Sequence, residues 1–93
     1  MVYLGIEGEP DGSSERQARG LFERAGARLK ENGCDWKNVV RISFFLHESE
    51  EPQAVLAHTA ALVPVSLDHA EIEFVAGYSR PNKLVEIEIT ARR

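Results

Sequence analysis

Two pairs of carboxylates spaced two residues apart fall in strand-forming stretches, Glu71 with Glu73 and Glu86 with Glu88. Side chains at i and i+2 of a strand share a face, so each pair would project from one side of a sheet. A carboxylate placed there can activate water if it lies within hydrogen-bond reach and holds the right protonation state. Arg41 is a cation on a neighbouring stretch that could pair with such groups. The other reactive residue types form no such pattern. His47, His58 and His69 have no spacing that suits a metal, so no metal site is expected. Cys34 stands alone, which excludes an internal disulfide, and has no basic sequence neighbour to activate it. Gly5-x-x-Gly8 lacks the lysine and helix start of a phosphate loop. Serine, histidine and aspartate all occur, but sequence alone cannot assemble them into a triad. The acidic runs Glu7-x-Glu9 and Glu48-x-Glu50-Glu51 read as solvated turns.

The elements that must carry these residues follow from periodicity. Val2–Ile6 has strand-forming residues and runs into the turn-rich Glu9-Pro10-Asp11-Gly12-Ser13. Ser14 followed by Gln17 has the form of a capping box. From there Ala18, Leu21, Phe22, Ala25 and Leu29 recur at helical spacing, and Asn32-Gly33 supplies the stop. Val39–Leu46 is rich in β-branched and aromatic residues and predicts a strand. Its faces are Val40, Ile42, Phe44, Leu46 and Val39, Arg41, Ser43, Phe45. Pro52 opens a second helix to about Leu62, with Val55, Leu56, Ala60 and Leu62 as its apolar side.

Two further strands are expected at Ala70–Ala76 and Leu84–Ala91, joined by the connection Gly77–Asn82. The order β-α-β-α-β-β, with right-handed crossovers, puts both helices on one side of a sheet. Ile72, Phe74 and Ala76, with Val85, Ile87, Ile89 and Ala91, would pack beneath them. The opposite face then mixes Glu71, Glu73, Glu86 and Glu88 with Arg41, Ser43, Phe45 and Val75. Either that face meets solvent or it forms a subunit interface in which the charges are paired.

The chain has 93 residues, 43% of them hydrophobic and 28% charged, which suits one α+β domain over residues 1–93 rather than disorder. A domain this short buries a modest share of its surface, so self-association would stabilise it. The net charge of −4 and the lack of a basic run argue against a nucleic-acid partner. No apolar stretch reaches the roughly 20 residues a membrane span needs, and the start has no secretory character. A cytoplasmic location is expected.

Gln17-Ala18-Arg19, the helix to Gly33, Asp35-x-x-Asn38-Val39-Val40-Arg41, the strand ending Phe45-Leu46, and the closing Val85-Glu86-Ile87-Glu88-Ile89-x-Ala91 together resemble the RidA/YjgF (endoribonuclease L-PSP) family. That resemblance implies a mixed sheet with two helices on one face and a homotrimer with three inter-subunit clefts for a small-molecule ligand. It implies hydrolysis of imines and enamines to a 2-oxo acid and ammonia, with no cofactor. Glu86 matches the glutamate held to orient or activate the hydrolytic water. Gly5 matches the glycine of a ligand-supporting Ser-Gly, with Leu4 where the serine stands. The family grips the substrate carboxylate with an arginine in a Pro-Ala-Arg segment, but this chain has His69-Ala70-Glu71. Counting back from Glu86 puts Glu71, or with a one-residue shift Ala70, in the arginine's place, and a glutamate there would repel a carboxylate.

Ser79-Arg80-Pro81-Asn82-Lys83-Leu84-Val85-Glu86 is also similar to a Cys-Arg-x-x-Leu-x-Val-Glu segment of the chorismatases, which are several times longer. That likeness implies Arg80 as a substitute for the missing arginine, beside Tyr78 and Ser79, with Arg41 as a further ligand contact. Three functions follow as expectations: an imine or enamine hydrolase lacking the family arginine, a ligand-binding or regulatory trimer without chemistry, and a chorismatase-like activity using Arg80 and Glu86.

Overall fold

The computed structural model describes residues 1–10, 12–78 and 82–93 of the chain. The elements come in the expected order: β1 Val2–Glu7, α1 Ser14–Glu31, a 3-10 turn Trp36–Asn38, β2 Val39–His47, α2 Pro52–Ala60, β3 Glu71–Val75 and β4 Val85–Ala91. The strands form one sheet in the order β1-β4-β2-β3. β4 runs antiparallel to both its neighbours, and β3 lies parallel to β2 after the crossover through α2.

The core lies between the sheet and the helices. Leu4, Ile6, Ile42, Phe44, Leu46, Val85, Ile87 and Ile89 are buried from the strands. Ala18, Leu21, Phe22, Ala25 and Leu29 meet them from α1, the residues its periodicity selects. Phe22 bridges the layers, with its ring centroid 5.9 Å from Trp36 and 6.1 Å from Phe44. Tilted pairs at this spacing add to the burial of each ring. Asp35 starts the 3-10 turn by accepting from Lys37 N, while Asn38 Oδ1 accepts from Asp35 N. The turn delivers the chain into β2.

Several local expectations are corrected. The cap of α1 is Ser13, whose hydroxyl accepts from Arg16 N, so Ser14 is already helical. Gln17 therefore makes no capping box and is buried for another purpose. Val40 is displaced at a register shift between Val39 and Arg41 and is 55% exposed, off the apolar face assigned to it. An extra residue in one strand loses its place in the alternation. Helix α2 ends at Ala60, so Ala60 and Leu62 are exposed and its buried residues are Val55 and Thr59. Thr59 is tolerated there because its hydroxyl donates to Val55 O at 2.9 Å. α2 leans chiefly on α1 rather than over β3. Phe74 on that edge strand is accordingly exposed, and Ala76 lies beyond the strand end. Glu7 closes β1 rather than a turn, and Glu51 is the cap of α2, accepting from Ala54 N.

Candidate functional site

The face of the sheet away from the helices carries the polar chemistry. Strand register sets Glu86 of β4 between Glu7 of β1 and Phe45 of β2, and sets Gly5 opposite Glu88. Two carboxylates directly opposite each other would repel. The Lys83 ammonium resolves that conflict: Nζ lies 2.8 Å from Glu86 Oε1 and 3.7 Å from Glu7 Oε1. Lys83 is buried, with its side chain 1% exposed, while the Glu86 side chain is 26% exposed. Nothing lies within 4 Å of where a Cβ on Gly5 would stand, which leaves room beside the strand edge. A groove of about 490 Å³ opens there, lined by Gly5, Glu7, Phe45, Glu86, Glu88 and Arg24 among others.

Tyr78 closes one end of this arrangement. Its hydroxyl donates to the Phe45 carbonyl, and Lys83 Nζ lies 5.7 Å from the centre of its ring. Burial first, and the Glu86 carboxylate second, push the Tyr78 hydroxyl up to about 12. Gln17 fixes the chain on the other side of Lys83. Its Nε2 donates to Asn82 O at 2.9 Å and to Gly12 O at 3.1 Å, and its Oε1 accepts from Leu84 N at 2.8 Å. Asn82 adopts φ 66, a left-handed conformation that asparagine tolerates better than most residues.

A second groove of about 470 Å³ shares Phe45 and Glu88 with the first and adds Arg41, Ser43, Glu71 and Glu73. Arg41 binds Glu71 Oε2 through both Nε, at 3.1 Å, and Nη2, while Ser43 Oγ donates to the same oxygen at 3.3 Å. The hydrogen bond from Arg41 holds the Glu71 carboxyl below its ordinary range, and the reciprocal contact raises the Arg41 guanidinium. Arg41 thus directs Nε and Nη2 to Glu71.

The structure brings Glu86 and Gly5 around one groove, sets Arg41 in the adjoining one, and places Tyr78 against Phe45 O and Lys83 rather than in the groove lining. Glu86 pairs with Lys83 and not with Arg41, the partner first considered for it. Ser79 and Arg80 lie outside the described residues. From sequence no site role falls to Lys83, Glu7 or Gln17, and Gln17 and Glu7 read there as a helix cap partner and a turn residue. One signal was available: counting back in twos from Ile87 and Val85 puts position 83 in the buried register. His47, at the end of β2, is half-buried, with Nδ1 2.7 Å from Ser49 Oγ. Among the described residues no cluster of histidine, cysteine or acidic groups is arranged to hold a metal, and no helix is long and apolar enough to cross a membrane.

A family model described as endoribonuclease L-PSP matches residues 5–93. This chain belongs to the endoribonuclease L-PSP family, the YjgF/RidA group. Solved structures of the group agree in fold. A YjgF-family protein of Mycobacterium tuberculosis superposes with a TM-score of 0.82 at 23% identity, over 95% of this chain and 74% of that one. A YjgF-family member from Neisseria meningitidis gives 0.76 at 24% identity, over 95% of this chain and 74% of that one. A putative endoribonuclease from Thermotoga maritima gives 0.73 at 26% identity, over 97% and 76%. In sequence, a RutC family protein of Synechocystis is 40% identical over 47 residues, which span 50% of this chain and 36% of that relative. As a YjgF/RidA member, the chain has the group's mixed sheet and two helices.

Proposed function

We propose that this YjgF/RidA-family chain forms a homotrimer that binds a small metabolite between subunits and hydrolyses a C=N bond there, with Glu86 activating the water. The observation that carries this reading is the Glu86 carboxylate itself. It is partly exposed to the 490 Å³ groove and held at 2.8 Å by a buried ammonium. Tyr3 and the half-buried Phe45, on the same face of the sheet, are apolar surface that a subunit contact would cover.

In the hydrolysis, water oxygen bonds to the imine carbon while Glu86 takes a water proton. The C=N pair moves onto nitrogen, which takes that proton from Glu86 to give a carbinolamine and return Glu86 to the carboxylate. Glu86 then mediates transfer of the hydroxyl proton, the C=O bond forms and ammonia leaves. The substrate this site suits lacks a carboxylate at the position that Arg41 and Glu71 occupy. There the guanidinium is already engaged, and Glu71 and Glu73 add negative charge.

The same Arg41–Glu71 pair favours a second reading, ligand binding without turnover, because it removes the grip the family chemistry relies on. Ammonia release separates the two. Wild-type protein is expected to accelerate hydrolysis of a small imine without a carboxylate more than that of 2-aminoacrylate, and Glu86→Gln to abolish the acceleration. Saturable ligand stabilisation with no acceleration on either compound would overturn the hydrolase and leave the binding protein.

A further inference from the structure

Among the described residues, Lys83 is the charged side chain that the fold buries. Its ammonium lies in a position 2% exposed, beneath a tyrosine ring, where an apolar side chain of similar length would pack without desolvation. Its direction is not left to chance. Residues on both sides of it are tied to Gln17, through Asn82 O and Leu84 N, and Gln17 is itself buried in the first turn of α1. A lysine held this way is a fixed charge rather than a snorkelling one.

We infer that Lys83 is a positioning residue: it holds the Glu86 carboxylate at the groove by binding Oε1, against the opposing Glu7. The contact to Glu86 uses Oε1 alone among the described residues, so Oε2 is the oxygen offered to a water. Without Lys83, Glu7 and Glu86 face each other across β1 and β4 with their charges uncompensated, and the carboxylates turn apart. The catalytic part of this inference rests on the hydrolase reading; the positioning itself does not.

Two measurements on the full chain test it separately. In nitrogen–proton spectra selective for lysine ammonium groups, wild-type protein is expected to show a resonance protected from exchange that disappears in Lys83→Met and shifts in Glu86→Gln. In imine hydrolysis, Lys83→Met is expected to lower kcat about ten- to a hundredfold with KM changed less than about twofold. The double variant is expected to be no slower than Glu86→Gln, because two residues acting as one unit do not add. A wild-type spectrum with no protected ammonium would overturn the inference, as would a folded Lys83→Met with unchanged kcat or fully multiplicative losses in the double variant. If Lys83→Met does not fold, the response of the Lys83 resonance to Glu86→Gln decides. A protected, Glu86-dependent ammonium in a protein without turnover supports the positioning and overturns only the hydrolase.

Discussion

Among the described residues, Glu86 and Glu71 on the open sheet face are each held by a cation, Lys83 and Arg41, and the two pairs differ in almost everything but chemistry. Lys83–Glu86 joins a side chain 1% exposed to one 26% exposed, whereas Arg41 and Glu71 are 59% and 58% exposed. Water screens the second pair, so it adds little to stability even with good geometry. The first pair sits where water cannot replace a lost partner, so breaking it is expensive although forming it stabilises little. Burial thus gives the Lys83 pair rigidity, and exposure gives the Arg41 pair adjustability.

Glu86→Ala should break this contrast most sharply. It leaves the buried ammonium with Glu7 alone, and unfolding in urea at fixed protein concentration is expected to show a loss of about 3 kcal/mol. Gln17→Ala comes next, since it strips the Leu84 N–H and the Asn82 carbonyl of their partner. A loss of about 1–3 kcal/mol is expected in the same assay, together with loss of the protected Lys83 resonance. Tyr78→Phe removes the hydrogen bond to Phe45 O and should lose about 1 kcal/mol. Because the Tyr78 value is raised, its contribution is present at every pH below the ordinary tyrosine value and fades as pH rises towards about 12. The difference in phenolate absorbance between wild type and Tyr78→Phe should appear only in that range.

The smallest effect belongs to the exposed pair. Glu71 is held below its ordinary value, so its contribution is present above the ordinary carboxylate value and is lost as pH falls through the lowered one. Urea midpoints of wild type and Glu71→Gln should differ slightly at neutral pH and low salt, and converge in acid and in high salt. A large, salt-resistant difference would show that this face is dry in the assembled protein.

What could be read from the sequence follows the same division. Helix α1 was legible because five apolar residues repeat at its period, and β4 because its alternation is unbroken. Both signals are local. Val40 misled because a bulge shifts the alternation without changing any residue type. Ser14 reads as the cap because Gln17 follows at the capping-box spacing, but it is Ser13 that accepts the hydrogen bond from Arg16 N. The apolar side of α2 failed beyond Ala60, where the helix ends. Glu86 was found by resemblance, but Lys83, three residues before it, was not, because its contact with Glu7 exists only once β1 lies beside β4. Arg41 and Glu71 pair across 30 positions, and only the parallel register of β2 and β3 brings them together.

The placement of β4 between β1 and β2 also governs how the molecule is made. The strand that joins β1 to β2 follows the other three described strands in sequence, so β1 has no partner among them while the helices and β2 emerge from the ribosome. Closure joins Val2 to Ala91 and demands a long loop, which slows folding relative to a chain of local contacts. Until then β1 and β2 each expose unsatisfied edges, and neighbouring nascent chains could pair with them. Folding is therefore a late event, committed only when the residues from Val85 onward are free to insert.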